Sequence, residues 1–180
     1  MKQRVWQFFL LLFTYMVFAL PFKAMNLIPG FTDVRPVTAL GPIYAVFWGP
    51  LGCMVCGCGN MIADIIDNAL RWSSLAGFAA NFLGPCVTWY MWRHYAKRSF
   101  ALRTGRELLF HIGTIIVAAL LETAIISPAV ATAYPEVNVV FFAATLLGNT
   151  TVFPIVLGIP ITILMQEELE FTPCASLRGH

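Results

Sequence analysis

Charge is what this chain has least of. Eleven Lys plus Arg and nine Asp plus Glu stand in 180 residues, while 59% of the chain is hydrophobic. A water-soluble domain needs about a quarter of its residues charged to coat its surface, so a soluble globule is excluded, and disorder with it. The net charge of +2 is spread along the chain and gives no footprint for nucleic acid. The signatures of soluble catalysis are missing too: the sequence contains no G-x-x-x-x-G-K-[ST] phosphate loop, no H-E-x-x-H and no G-x-S-x-G. No acid and base are paired at catalytic spacing. An enzyme is not expected, ATP hydrolysis would have to come from other subunits, and no cofactor is implied.

A second cysteine pair is absent as well. Cys53, Cys56 and Cys58 form C-x-x-C-x-C, but structural zinc sites use two separated ligand pairs, so no metal site is expected. Gly49, Cys53 and Gly57 recur every four residues, as do Gly52 and Cys56, and Gly59 and Ala63. Stripes of small residues let helix backbones approach closely in lipid, so this segment reads as a packing helix.

What is present is a series of apolar runs, at about 5–25, 37–48, 51–66, 76–92, 108–127 and 139–165. A bilayer core about 30 Å thick needs about 20 helical residues. The second and third runs are short, and they read either as one tilted helix over 39–66 or as two helices broken at Gly49-Pro50. The apolar start beyond the basic Met1–Arg4 segment extends to Met25 without a small-x-small cleavage pattern, so it is expected to be a retained span.

Basic residues choose between topologies. Six spans with a cytoplasmic N-terminus place Lys2, Arg4, Arg93, Lys97, Arg98, Arg103, Arg106 and Arg178 inside against Lys23, Arg35 and Arg71 outside, and five spans reverse that bias. The expected fold is therefore an all-α membrane protein, one domain over 1–180. It is a six-transmembrane-helix bundle with the N- and C-termini cytoplasmic, a multi-pass protein of the cell (plasma) membrane.

That topology brings Asn60 and Asp64 on the third helix, Asn81 on the fourth, Glu122 on the fifth and Asn149 on the sixth to the outer half or mid-depth. Asp33 and Arg35 join them from the first outer loop. Charged groups in hydrocarbon are costly and face a bundle interior or a wet cavity, so these residues mark a polar cavity opening outward. Tyr44, Trp72, Phe78, Phe82, Trp89, Tyr134 and Phe142 are its candidate aromatic lining.

Several segments carry a resemblance: Thr32-Asp-Val-Arg-Pro-Val-Thr-Ala-Leu-Gly-Pro42, Phe47-Trp-Gly-Pro-Leu-Gly52, Gly59-Asn-Met-Ile-Ala-Asp64, Gly77-Phe-Ala-Ala-Asn-Phe-Leu-Gly84 and Leu147-Gly-Asn-Thr150 with Gly158-Ile-Pro160. Across nearly its whole length the chain resembles the substrate-binding (S) subunits of energy-coupling factor (ECF) vitamin transporters of prokaryotes. The resemblance implies a receptor that captures a vitamin or related small micronutrient from outside and topples in the membrane on a T subunit driven by two ATPase subunits. It places the ligand among helices 4 to 6 under the outer loops, which agrees with the depth of Asn81, Glu122 and Asn149; these are expected as polar ligands, with Asp33 and Arg35 on a gating loop. The alternatives are a ligand-free membrane assembly subunit, whose polar residues join helices, and a self-contained proton-coupled carrier.

Overall fold

A computed structural model of the chain describes residues 2–23, 34–94, 100, 102–171 and 173. Of these, 85% are helical and none lies in a strand, as the apolar runs require. In chain order the elements are α1 (Lys2–Lys23), a 3₁₀ turn (Pro36–Ala39) leading into α2 (Leu40–Trp48), α3 (Pro50–Ile66), α4 (Ser73–His94), α5 (Gly105–Ala133) and α6 (Val139–Phe153). A π-helical segment (Pro154–Gly158) then carries the chain into α7 (Ile159–Glu167), because the ring of Pro154 interrupts the regular helical ladder. Three stretches are long and apolar enough to cross a membrane: Lys2–Phe22, Gly105–Ala133 and the composite rod Val139–Glu167. At 22 residues α4 equals α1 in length, but its apolar stretch is interrupted by Gly77, Asn81, Gly84 and Pro85, and α2 and α3 are shorter.

The break between α2 and α3 is real. Gly49 takes φ 57°, a left-handed conformation that favours glycine, and its N–H still closes α2 on the Ala45 carbonyl at 3.1 Å. Pro50 then opens α3, where its missing N–H costs nothing. The two helices fold back on each other as a hairpin, and Gly52 lies directly on the Tyr44 carbonyl. Hence the single tilted helix over 39–66 does not form.

Cross-contacts give the helix directions, with Ala19 and Phe22 of α1 lying beside Val34 and Arg35. The rings of Trp48 and Phe171 meet at 6.0 Å, Arg103 pairs with Glu167 at 2.9 Å, and the Trp92 indole donates to His111 Nδ1 at 3.0 Å. These groups share one end of the bundle, the basic pole. At the other end, Arg35, Asp67, Ser73 and Tyr134 line one cavity. So α1, α3 and α5 run toward that cavity pole, while α2, α4 and the α6–α7 rod run away from it.

The core sits around α3. Its small residues admit α1 at Gly59, which lies under the Tyr15 ring, α2 at Gly52, and α4 at Gly57, which faces Phe78 and Phe82. The small-residue stripe is thus used on three neighbours at once. Cys53 and Cys56 are buried on this helix, and Cys53, Cys56, Cys58 and Cys86 form no disulfide. Outward, α1 exposes Trp6, Phe9, Leu10 and Phe13 at 59–75%, a greasy surface suited to lipid.

Gly59→Ala should drive a methyl group into the Tyr15 ring, itself only 4% exposed, and cost about 1–3 kcal/mol. Gly113→Ala, where nothing lies within 4 Å, should be neutral or stabilising by up to about 1 kcal/mol. Thermal unfolding of the detergent-purified protein checks both.

Candidate functional site: a polar cavity between α3, α4, α5 and α6

The sequence stops α3 in a way that presents its acids. Asn68 adopts φ 53°, the Ala69 N–H reaches back to the Asp64 carbonyl at 2.9 Å, and the Asn68 N–H bonds the Ile65 carbonyl at 3.2 Å. This left-handed Schellman ending turns the chain away and leaves Asp64 and Asp67 at the mouth of a cavity of about 230 Å³. Opposite them, residues of α5 and α6 fall on single faces: Ile126 and Val130 four apart, and Phe142, Thr145, Leu146 and Asn149 at helical spacing. From α4 come Ser73, Ser74, Gly77 and Asn81, and from the segment before the 3₁₀ turn, Arg35.

The α3 and α4 side is therefore mainly polar, while α5 and α6 supply an apolar patch of Ile126, Val130, Phe142 and Leu146 beside the polar Thr145 and Asn149. The apolar wall continues into a small core of Ala80, Ile126, Val130 and Leu146, with Tyr134 and Phe142 packed on it. Arg71 lies 4.5 Å over the Tyr134 ring and holds it at the rim by a cation–π contact. The loop entering α2 is tied across to α6: the Arg35 N–H donates to Asn149 Oδ1 at 3.4 Å, and the Thr38 hydroxyl faces the carbonyls of Arg35 and Asn149 at 2.8 and 3.0 Å.

Asn60 is the most exacting member. It is 8% exposed, its amide nitrogen lies 2.8 Å from where a Cβ on Gly77 would stand, and among the described residues it makes no hydrogen bond. Its amide lines the cavity, so its hydrogen-bonding capacity is open toward that space.

Beneath the wide cavity is a smaller chamber of about 30 Å³ that includes Glu122, Thr38, Gly84, Thr88, Thr150 and Pro154 in its wall. Asn81 lines both spaces. On each helix the chamber residues follow the cavity residues one or two turns further from the mouth: Gly84 after Asn81, Glu122 before Ile126, Thr150 and Pro154 after Leu146. Glu122 reaches across from α5 to α4, where Gly84 offers no Cβ and the carboxyl occupies that space.

Of the residues expected at the site, Arg35, Asn60, Asp64, Asn81 and Asn149 come together in the wide cavity, and Glu122 lies in the adjoining chamber. Asp33 falls outside the described residues. Trp89 is elsewhere: Arg93 covers its ring at 5.5 Å and it packs on the α1–α2–α3 core near the basic pole. It lies eight residues along α4 from Asn81, about 12 Å at the helical rise and too deep for the wide cavity, while at the depth of the chamber Thr88 takes the inward position and Trp89 stands about 100° further around the helix.

The other aromatics also divide. Tyr134 and Phe142 line the cavity, Tyr44 is spent on the Leu11 carbonyl at 3.0 Å, Phe78 and Phe82 stack on each other at 6.4 Å, and Trp72 is 54% exposed. Asn138 caps α6 by accepting from Val140 and Phe141 at 3.1 Å, which accounts for it without a ligand. Ser73, Ser74 and Thr145 are lining residues that composition did not single out, although residues 74, 77, 81, 84 and 88 already trace one small or polar face of α4. Among the described residues, no group of three or more His, Cys, Asp or Glu could hold a metal ion. No protein-family model matches the chain, and no curated protein or solved structure does.

Glu122 donates to and accepts from no described residue, in surroundings that make a charge expensive. A group kept for function at the expense of stability should be replaceable with a gain. Glu122→Met is expected to raise stability by about 1–3 kcal/mol in thermal unfolding. A lowered midpoint would instead make the carboxyl a helix tie.

Proposed function

We propose that the chain is a membrane-embedded capture subunit for a vitamin or related small micronutrient. It crosses the bilayer six times with both termini in the cytoplasm and works with a T subunit and two ATPases, as the ECF-like motifs imply. One observation carries the reading: in a chain with so few polar groups, five residues from four separate segments converge on one cavity at one pole. Helix-joining amides would instead be satisfied in pairs, and Asn60 is not. The half-polar, half-apolar wall suits a flat heterocycle with a hydrogen-bonding edge. Arg93, Arg103 and Arg106 cluster at the opposite pole, as a cytoplasmic face requires.

Purified protein should gain thermal stability from at least one member of a panel of vitamins and nucleobase precursors. Asn60→Leu should weaken that ligand about 10–100-fold by removing its amide from the wall. No shift with any compound counts against capture. Orientation is tested separately in intact cells. A membrane-impermeant maleimide should label an Asp67→Cys variant and leave Arg103→Cys untouched, and the reverse pattern would invert the topology.

A further inference from the structure

The chamber beneath the wide cavity has a chemical bias of its own. Its titratable carboxyl, Glu122, has no hydrogen-bond or ion-pair partner among the described residues. Two of the hydroxyls beside it have committed their protons elsewhere. Thr150 donates to the Leu146 carbonyl at 2.8 Å, and Thr38 to the carbonyls of Arg35 and Asn149. Asn81 has spent one amide hydrogen on the Gly77 carbonyl at 2.9 Å. A hydroxyl whose proton is engaged turns its remaining lone pairs outward, so at Thr38 and Thr150 the wall offers acceptors. Arg35, the guanidinium of the wide cavity, is not among the chamber residues. Tyr15, Cys56 and Thr88 line the wall from α1, α3 and α4 without bonding the carboxyl, and Ile115 and Ala118 make the rest largely apolar.

Resting on the capture reading above, we infer that this chamber receives a positively charged nitrogen group at the leading end of the ligand, so that the captured molecule is an amine-bearing compound. A carboxyl enclosed away from water ionises when a cation stands beside it, and the chain itself places none there, so a cationic ligand group would gain a charge-assisted partner. Size agrees: about 30 Å³ accommodates one water-sized group such as an ammonium, not a ring. The ring then lies above, in the 230 Å³ cavity, with its edge toward Asn60 and Asn81 and its face toward Ile126, Val130 and Phe142. Gly84 makes the arrangement possible, since a side chain there would displace the carboxyl from α4.

The test uses the full chain in detergent and three probes that share one ring and differ in the leading group: benzylamine, benzyl alcohol and benzoate. Benzylamine is expected to bind at least about tenfold more tightly than the other two by titrated thermal shift. Glu122→Gln should abolish that preference, while Asn60→Leu weakens all binders alike. Should Glu122→Gln fail to fold, Gly84→Ala reaches the same carboxyl from the facing helix and should selectively weaken benzylamine. Preference for the alcohol or for benzoate, or a benzylamine preference unchanged in both variants, overturns the inference. If neutral or anionic vitamins then bind in an Asn60-dependent way, capture stands and the amine assignment alone falls. If neither the probes nor the vitamin panel bind, both fall.

Discussion

Everything else in this structure depends on how closely other helices can approach α3. Apolar side chains gain little by leaving lipid for one another, so helices in such surroundings associate through van der Waals contact at short range. Glycines at 52, 57 and 59 and the small cysteines between them supply that range. Tyr15, Tyr44 and the Phe78–Phe82 pair each lie where a larger residue on α3 would stand. With α1, α2 and α4 docked on one helix, α5 completes the bundle against α4, and the α6–α7 rod closes it over the 3₁₀ turn and α5.

The same device creates the site. Gly77 leaves room for the Asn60 amide and Gly84 for the Glu122 carboxyl, so two polar groups occupy volumes that side chains on α4 would otherwise fill. Neither group is satisfied by the protein among the described residues. Close packing around α3 and open hydrogen-bonding capacity beside α4 are two outcomes of one rule: where the Cβ is missing, something else comes near. At the basic pole the rule does not apply. There Trp92, Phe100, Phe110 and His111 fill the space between α4 and α5 with rings, and the Trp92–His111 hydrogen bond locks the junction.

Much of this was legible from residues alone. The stripe of small residues on α3, the break at Gly49-Pro50 as one of two options, and Asn60, Asp64, Asn81 and Asn149 as site candidates all follow from helical spacing and the cost of embedded polarity. What was not legible has a common cause. Trp89 is chemically suited to a ligand cavity, but its depth along α4 puts it below the wide cavity and its rotation about the axis turns it away from the chamber that Thr88 lines. Asn138 looks like the other embedded amides until its two bonds to the first turn of α6 are seen. Glu122 was expected in the same cavity as the asparagines and instead occupies a separate chamber one turn below.

By itself the sequence determined the class of structure, all-α with apolar helices compatible with a membrane, because hydrophobic content and run length are additive properties that need no partner. It also determined which residues are too polar for their surroundings, for the same reason. Only the tertiary structure decided which of them meet. Convergence depends on helix direction, on rotation about each axis and on register between segments as far apart as Arg35 and Asn149. Those quantities are set by the closest approach of backbones, at glycines whose neighbours the chain order does not name.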